Sequence, residues 1–250
     1  MIKKILKKII PVSFRHKIRA LQYKLFGVDR GYKHLSAEDV FDDIYNEGIW
    51  GKDEQMNSTS GTGSHKEEIV GPYVDVVKKI IAENNINSVA DLGCGDFAVG
   101  SLLIDYCNIY NAYDVSKVIL DRNRIKYRSP NLKFEKLDLS KDILPDADIA
   151  FVRQVLQHLS NESIKSFVDK LNNSKNFKYL VITEHIPSNA NFEPNKNKPS
   201  GPNIRIAINS GVILHKEPFN LKFKTMENVL SINEDTGGFN AVIQTTLYKF

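Results

Sequence analysis

The stretch VADLGCGDFAVG, residues 89–100, decides how this chain is read. SVADL (88–92) has the apolar, β-prone character of a buried strand, and Gly93 and Gly95 mark a tight turn behind it. With a helix expected over 97–106, this is a strand, glycine turn and helix, the unit that builds a nucleotide site at the carboxyl edge of a parallel sheet. Outward from it, strands are expected at 109–114 (IYNAYD), 132–138 (LKFEKLD), 148–154 (DIAFVRQ) and 177–186 (FKYLVITEHI). Helices are expected at 37–46, 65–83, 116–128 and 160–171. Ser116 and Ser160 are N-caps, and Gly71-Pro72 predicts a kink in the second helix. This rhythm predicts an α/β fold: a three-layer, Rossmann-like, mainly parallel sheet with helices on both faces. Beyond 187 lies PSNANFEPNKNKPSGPN, a loop long enough to suggest function. KTMENVLSI and NAVIQTTLYKF, joined by EDTGG, then predict a C-terminal antiparallel hairpin.

Residues 93–98 satisfy the loose GxGxxG/A pattern of NAD sites. Asp91 argues against NAD, because a carboxylate at that turn repels a pyrophosphate. S-adenosylmethionine (SAM) has no phosphate and carries an ammonium and a sulfonium, so the same acid attracts it. Asp114 closes the second strand, 23 residues beyond Asp91, where an acid accepts two ribose hydroxyls in SAM and NAD alike. Asp138 ends the third strand, placed to take an adenine amino group while Leu139 packs on the ring. A lone aspartate at a strand end is often only a cap or a solvated turn. Three in succession point to one cofactor site: Asp91, Gly93, Gly95, Asp96, Asp114, Asp138 and Leu139.

Methyl transfer is an in-line displacement, and a hydroxyl acceptor must also lose its proton. His158, after the fourth strand, is the first candidate base. Glu184 and His185, ending the fifth strand, are the second. Each has a structural alternative, as a helix cap or an edge hydrogen-bonder. Arg153 and Arg205 are candidates to hold an anionic acceptor by bidentate contact, or to pair with a neighbouring acid. STSGTGS (58–64), with Ser64 at its end and Trp50 nearby, is either a cover for the methionine end or a flexible linker. No HExxH or CxxC spacing supports a metal.

VADLGCG, AYD, LDLS and a fourth strand leading into VLQHLS resemble the class I SAM-dependent methyltransferases. The resemblance covers about residues 65–250 and implies a seven-stranded sheet ending in an antiparallel hairpin. It also implies SAM as cofactor and S-adenosylhomocysteine as product. More narrowly, IYNEGIWG (44–51), STSGTGS (58–64), CGDF (94–97), VRQVLQHLS (152–160) and Arg205 with EPFNL (217–221) resemble a bacterial group of methyltransferases. Members of that group are found with capsule and surface-polysaccharide genes. It carries an acid directly after the arginine of the fourth strand, where this chain has Gln154. The resemblance implies a small or glycan-linked hydroxyl acceptor, or an acidic substituent such as a phosphoramidate.

The 250 residues carry a net charge of +4, unevenly spread. Residues 1–28 hold eight basic residues and no acid, so 29–250 sum to −4. Three segments follow: a basic amphipathic helical arm (1–28), a cap or lid (29–64) and the methyltransferase domain (65–250). The arm, with Ile2, Ile5, Leu6, Ile9 and Ile10 among lysines, reads either as a peripheral anchor on an anionic membrane or as a packing arm. An acidic body argues against nucleic acid as partner. Two cysteines and no secretory signal are expected of a cytoplasmic protein, peripheral on the inner face of the plasma membrane if the arm binds lipid. The oligomeric state stays open. Two rivals remain: a NAD-dependent oxidoreductase and a non-catalytic scaffold for glycan assembly.

Overall fold

The computed structural model describes residues 27–236 and 239–250. Apart from Gly27 and Val28, the expected basic arm lies outside the described residues. Seven strands form one sheet in the order β3-β2-β1-β4-β5-β7-β6. The strands are β1 (Ser88–Leu92), β2 (Ile109–Asp114), β3 (Leu132–Lys136), β4 (Ile149–Arg153), β5 (Tyr179–Pro187), β6 (Thr225–Thr236) and β7 (Phe239–Lys249). The first five are parallel, and β7 and β6 close the edge antiparallel. This is the expected architecture. The hairpin strands run further than expected, to Thr236 and from Phe239, through most of the EDTGG turn.

Alternation along the strands divides two cores. On one face Ala90, Leu92, Ala150, Val152 and Leu180 meet α1 (Ala37–Glu47) and α4 (Asn161–Asn173). The α4 helix presents Ile164, Phe167, Val168 and Leu171, the three- and four-residue spacing of one helical stripe. Burying each of these side chains stabilises the fold by roughly 1.5–3 kcal/mol. On the other face Val89, Tyr110, Ala112, Phe151 and Val181 meet α2 (Glu67–Glu83). A further helix, α3 (Lys117–Lys126), packs beside β2 and β3. Ser116 and Ser160 cap α3 and α4 as expected, accepting from the Ile119 and Ser163 amides at 3.4 and 3.2 Å.

One local expectation is corrected. Residues 97–106 form no α-helix, only two short 3-10 turns at Gly100–Leu102 and Ile104–Tyr106. Phe97 sits at φ +61°, outside helical space, and sends its ring into the core against Tyr110, Tyr127 and Phe134. The α2 helix is continuous through Gly71-Pro72. The carbonyl deprived of its amide partner by Pro72 is that of Glu68, an exposed residue in the first turn.

Register places the site. Asp91 lies opposite Ala112 of β2 and Phe151 of β4, so Asp91, Tyr110 and Arg153 project from the same sheet face. No helix among the described residues is long and apolar enough to cross a membrane.

Candidate functional site

One pocket runs along the carboxyl ends of β1 to β4. Eleven of the residues singled out above line it: Asp91, Gly93, Gly95, Asp96, Asp114, Asp138, Leu139, Arg153, Trp50, Ser64 and His158. Glu184, His185 and Arg205 are not among its lining.

The glycine turn is built by backbone geometry. Gly93 and Gly95 have φ of +86° and +56°, values that cost a residue with a side chain. A Cβ on Gly93 would strike Val155, and one on Gly95 would strike Ser60. The Gly93 and Cys94 amides both donate to the Tyr113 carbonyl at 2.8 Å, folding the turn back onto β2. This brings the Gly95 amide to Asp114 Oδ2 at 3.0 Å, while the Ser116 amide holds Oδ1 at 2.9 Å. Burial pushes the Asp114 carboxyl up to about 6.

Asp91 is deeper. Its Oδ2 accepts from the Tyr110 hydroxyl at 3.0 Å. Burial, with a smaller push from the Asp114 charge, raises its carboxyl to about 7 against the opposing Tyr110 hydrogen bond and Arg153 charge. Burial outweighs both of these stabilising partners of the charged form. Asp138 differs. Burial raises it, but the Ser140 hydroxyl and amide, at 2.6 and 2.8 Å, together with Lys141 hold it below the usual carboxylate range. It serves its own turn while lining the pocket.

The 58–64 segment covers this turn. The Ser60 amide donates to Asp96 Oδ2 at 2.8 Å, and the Asp96 amide returns a bond to Ser60 Oγ at 2.8 Å. His65 Nε2 meets the same Asp96 oxygen at 2.6 Å. That contact raises the imidazole pKa; on Asp96 it helps outweigh burial, leaving the carboxyl lowered. Arg153 donates to the Gly63 carbonyl at 2.6 Å and to Ser64 Oγ at 3.3 Å, with its guanidinium over the Tyr73 ring at 4.9 Å. Burial lowers its pKa.

His158 stands at the opposite wall, its ring 4.7 Å from that of Trp50. The Trp50 indole donates to the Pro202 carbonyl at 3.0 Å. His158 Nδ1 lies 3.2 Å from the Gly201 carbonyl, an acceptor only, so Nδ1 carries the proton. Burial, then the Lys198 charge, pushes this imidazole down to about 3. Gln157 bridges His158 to His185: its Oε1 accepts from His185 Nδ1 at 2.8 Å, and its Nε2 lies 3.5 Å from His158 Nε2. His185 Nε2 reaches Glu234 at 2.9 Å.

Glu184 faces inward and receives the amides of Val155, Leu156 and Gln157 at 3.2, 2.8 and 3.0 Å. Burial raises it to about 8. Arg205 spends its guanidinium on the carbonyls of Lys196, Leu156 and Leu159 and on Asn161. These two residues shape the 154–160 turn from behind. Lys198 joins them: its ammonium pairs with Asp29 at 2.8 Å, both side chains fully buried, and donates to the His158 carbonyl at 3.2 Å. Tyr45, Tyr73 and Tyr110 also line the pocket and were not expected there; Ser60 of the expected covering segment and Gln154, which stands in place of the group's acid, line it too. Of the three tyrosines, only Tyr110 had a signal in the sequence, its even spacing from Asp114 along β2.

No protein-family model and no curated protein matches this chain. Solved structures do. Human N-acetylserotonin methyltransferase, in complex with SAM, aligns over 95% of this chain and 67% of its own, with TM-score 0.56 and 13% identity. The N-methyltransferase NodS from Bradyrhizobium japonicum WM9, with S-adenosylhomocysteine, aligns over 83% and 99%, with TM-score 0.54 and 13% identity. Magnesium protoporphyrin IX methyltransferase from Synechocystis PCC 6803 aligns over 85% and 98%, with TM-score 0.53 and 15% identity. The fold of this chain is the fold of these methyltransferases.

Proposed function

We propose that this protein is a SAM-dependent methyltransferase acting on an oxygen of a small or glycan-linked acceptor. One observation carries the reading: Asp91 and Asp114, in the last residues of β1 and β2, and Asp138, two residues past the end of β3, line one pocket around a glycine turn. The chemistry of this donor set fits SAM. Asp91, raised chiefly by burial, suits an α-ammonium that would supply it a cation; Asp114, preset by two backbone amides, suits two ribose hydroxyls; Leu139 offers an apolar surface to adenine, with Asp138 at its edge. A pyrophosphate at the glycine turn would meet Asp91 and Asp96, which disfavours NAD.

When bound, SAM supplies a methyl group activated by a sulfonium. The chain's own residues then hold the acceptor and manage its proton. His158 is the base in this proposal, since it alone of His158, Glu184 and His185 lines the pocket. It is neutral across the physiological range, and its low basicity favours an acceptor whose proton is already acidic. Glu184 and His185 act through the turn that carries it. The covering segment and Trp50 exclude water.

The resemblance of IYNEGIWG and VRQVLQHLS to the capsule-associated group supports a surface sugar, or an acidic substituent on one, as acceptor. The basic arm would then hold the enzyme at the inner membrane surface, which liposome flotation with and without residues 1–28 would test. Thermal-shift measurements with SAM, S-adenosylhomocysteine and NAD test the cofactor: the first two should raise Tm, and a rise with NAD alone would refute the proposal.

A further inference from the structure

Arg153 Nε and Gln154 Nε2 are buried and have no hydrogen-bond partner among the described residues. Two other buried side-chain atoms share that state, on Asn111 and Arg122, but only Arg153 and Gln154 line the pocket. An unsatisfied buried donor is costly, so two on consecutive residues in a pocket wall call for an acceptor that arrives with a ligand.

Both are held in place. The Arg153 Nη atoms are committed to Gly63 and Ser64, which leaves Nε. Gln154 stands at φ +56°, an unfavourable value for a residue with a side chain, at the end of β4. Its amide donates to the Thr183 carbonyl at 2.6 Å, and its side chain fills the space beside Gly63 where a Cβ would go. Asp91 projects from the same sheet face on the neighbouring strand, close enough for the Arg153 charge to act on it. One site therefore offers a buried carboxylate beside donors short of an acceptor. That is the complement of an amino-acid end, with its ammonium and carboxylate on one carbon.

We propose that Arg153 and Gln154 bind the α-carboxylate of the cofactor while Asp91 binds its α-ammonium, so that the pocket selects an intact amino-acid tail. This rests on the SAM reading above and moves Arg153 from acceptor binding to cofactor binding. The Arg153 bonds to Gly63 and Ser64 then tie carboxylate binding to closure of the covering segment.

The probes are S-adenosylhomocysteine and 5′-deoxy-5′-(3-aminopropylthio)adenosine, which lacks only the carboxylate, titrated by calorimetry. Wild-type protein should bind the former at least about tenfold tighter, the scale of a lost charge-assisted hydrogen bond. Arg153→Gln and Gln154→Leu, made separately, should each weaken S-adenosylhomocysteine and leave the analogue within about twofold, the coupling expected of a direct contact. Equal wild-type affinity for both ligands would overturn the proposal, and needs no variant to fold. Equal weakening of both ligands by both variants would also overturn it, assigning Arg153 and Gln154 to the covering segment alone. Wild-type binding of neither ligand would instead refute the SAM reading, and this inference with it.

Discussion

The Tyr110 hydroxyl donates to Asp91 Oδ2 at 3.0 Å across two neighbouring parallel strands. That bond opposes the burial that raises Asp91 to about 7. A cationic ligand requires the ionised carboxyl, so affinity is full above that pKa and is lost as pH falls through it. S-adenosylhomocysteine should bind about tenfold more weakly for each pH unit below 7, until Asp114, at about 6, adds its own loss. Tyr110→Phe should move the midpoint upward, weakening binding about fivefold at pH 7 and little at pH 9. A calorimetric pH series with an unmoved midpoint would contradict this.

His158 should not titrate in the neutral range. Its folded pKa, near 3, lies below the ordinary histidine value, so the ring is neutral in the native state from pH 5 to 9. NMR of the His158 ring should show a flat chemical shift over that span. Because the unfolded state binds a proton that the native state does not, this group's contribution to stability falls as pH drops from above 6.5 towards 3. A midpoint near 6.5 in the NMR series would return His158 to an exposed, ordinary imidazole.

The Asp29–Lys198 pair should be critical to the wall behind His158. Burial brings Lys198 down to about 8 against the pull of Asp29, and both side chains are fully buried. Asp29→Ala leaves an ammonium alone in the interior and should cost about 3–5 kcal/mol in urea unfolding. Asp29→Ala combined with Lys198→Met should recover a large part of that loss. Full additivity would show that the two groups are not coupled.

Gly95→Ala should separate the covering segment from the turn. The new Cβ strikes Ser60 Oγ, and φ is +56°. The strain costs about 1–2 kcal/mol, and the Ser60–Asp96 bonds must lengthen. Limited proteolysis should cut near residues 58–64 faster in this variant than in wild type; equal rates would show that the segment is held elsewhere.

The sheet, the hairpin and the line of aspartates were legible because each rests on a local pattern: period-two strands, glycines behind a strand, acids at strand ends. Glu184 was not legible in this way. As a strand-end acid it matches a catalytic base, but the turn after β4 folds three amides onto it, a contact set by sheet order. Arg205 is similar: it reads as an anion binder, yet its partners are two carbonyls of that same turn, 46 and 49 residues earlier, the Asn161 side chain and the Lys196 carbonyl. The helix expected at 97–106 failed because Phe97 gains more from its aromatic contacts than from helical backbone, a tertiary gain that propensity does not see. Gln154 was legible only as a departure from the group's acid, since its unpaired nitrogen and positive φ exist only in the folded chain.

The most direct test is a calorimetric titration of wild-type protein and Asp114→Ala with S-adenosylhomocysteine and NAD at pH 8. The account predicts saturable binding of S-adenosylhomocysteine by wild type, at least about tenfold weaker binding by the variant, and no binding of NAD by either. Tighter binding of NAD than of S-adenosylhomocysteine, or an affinity for S-adenosylhomocysteine unchanged by the loss of Asp114, would contradict it.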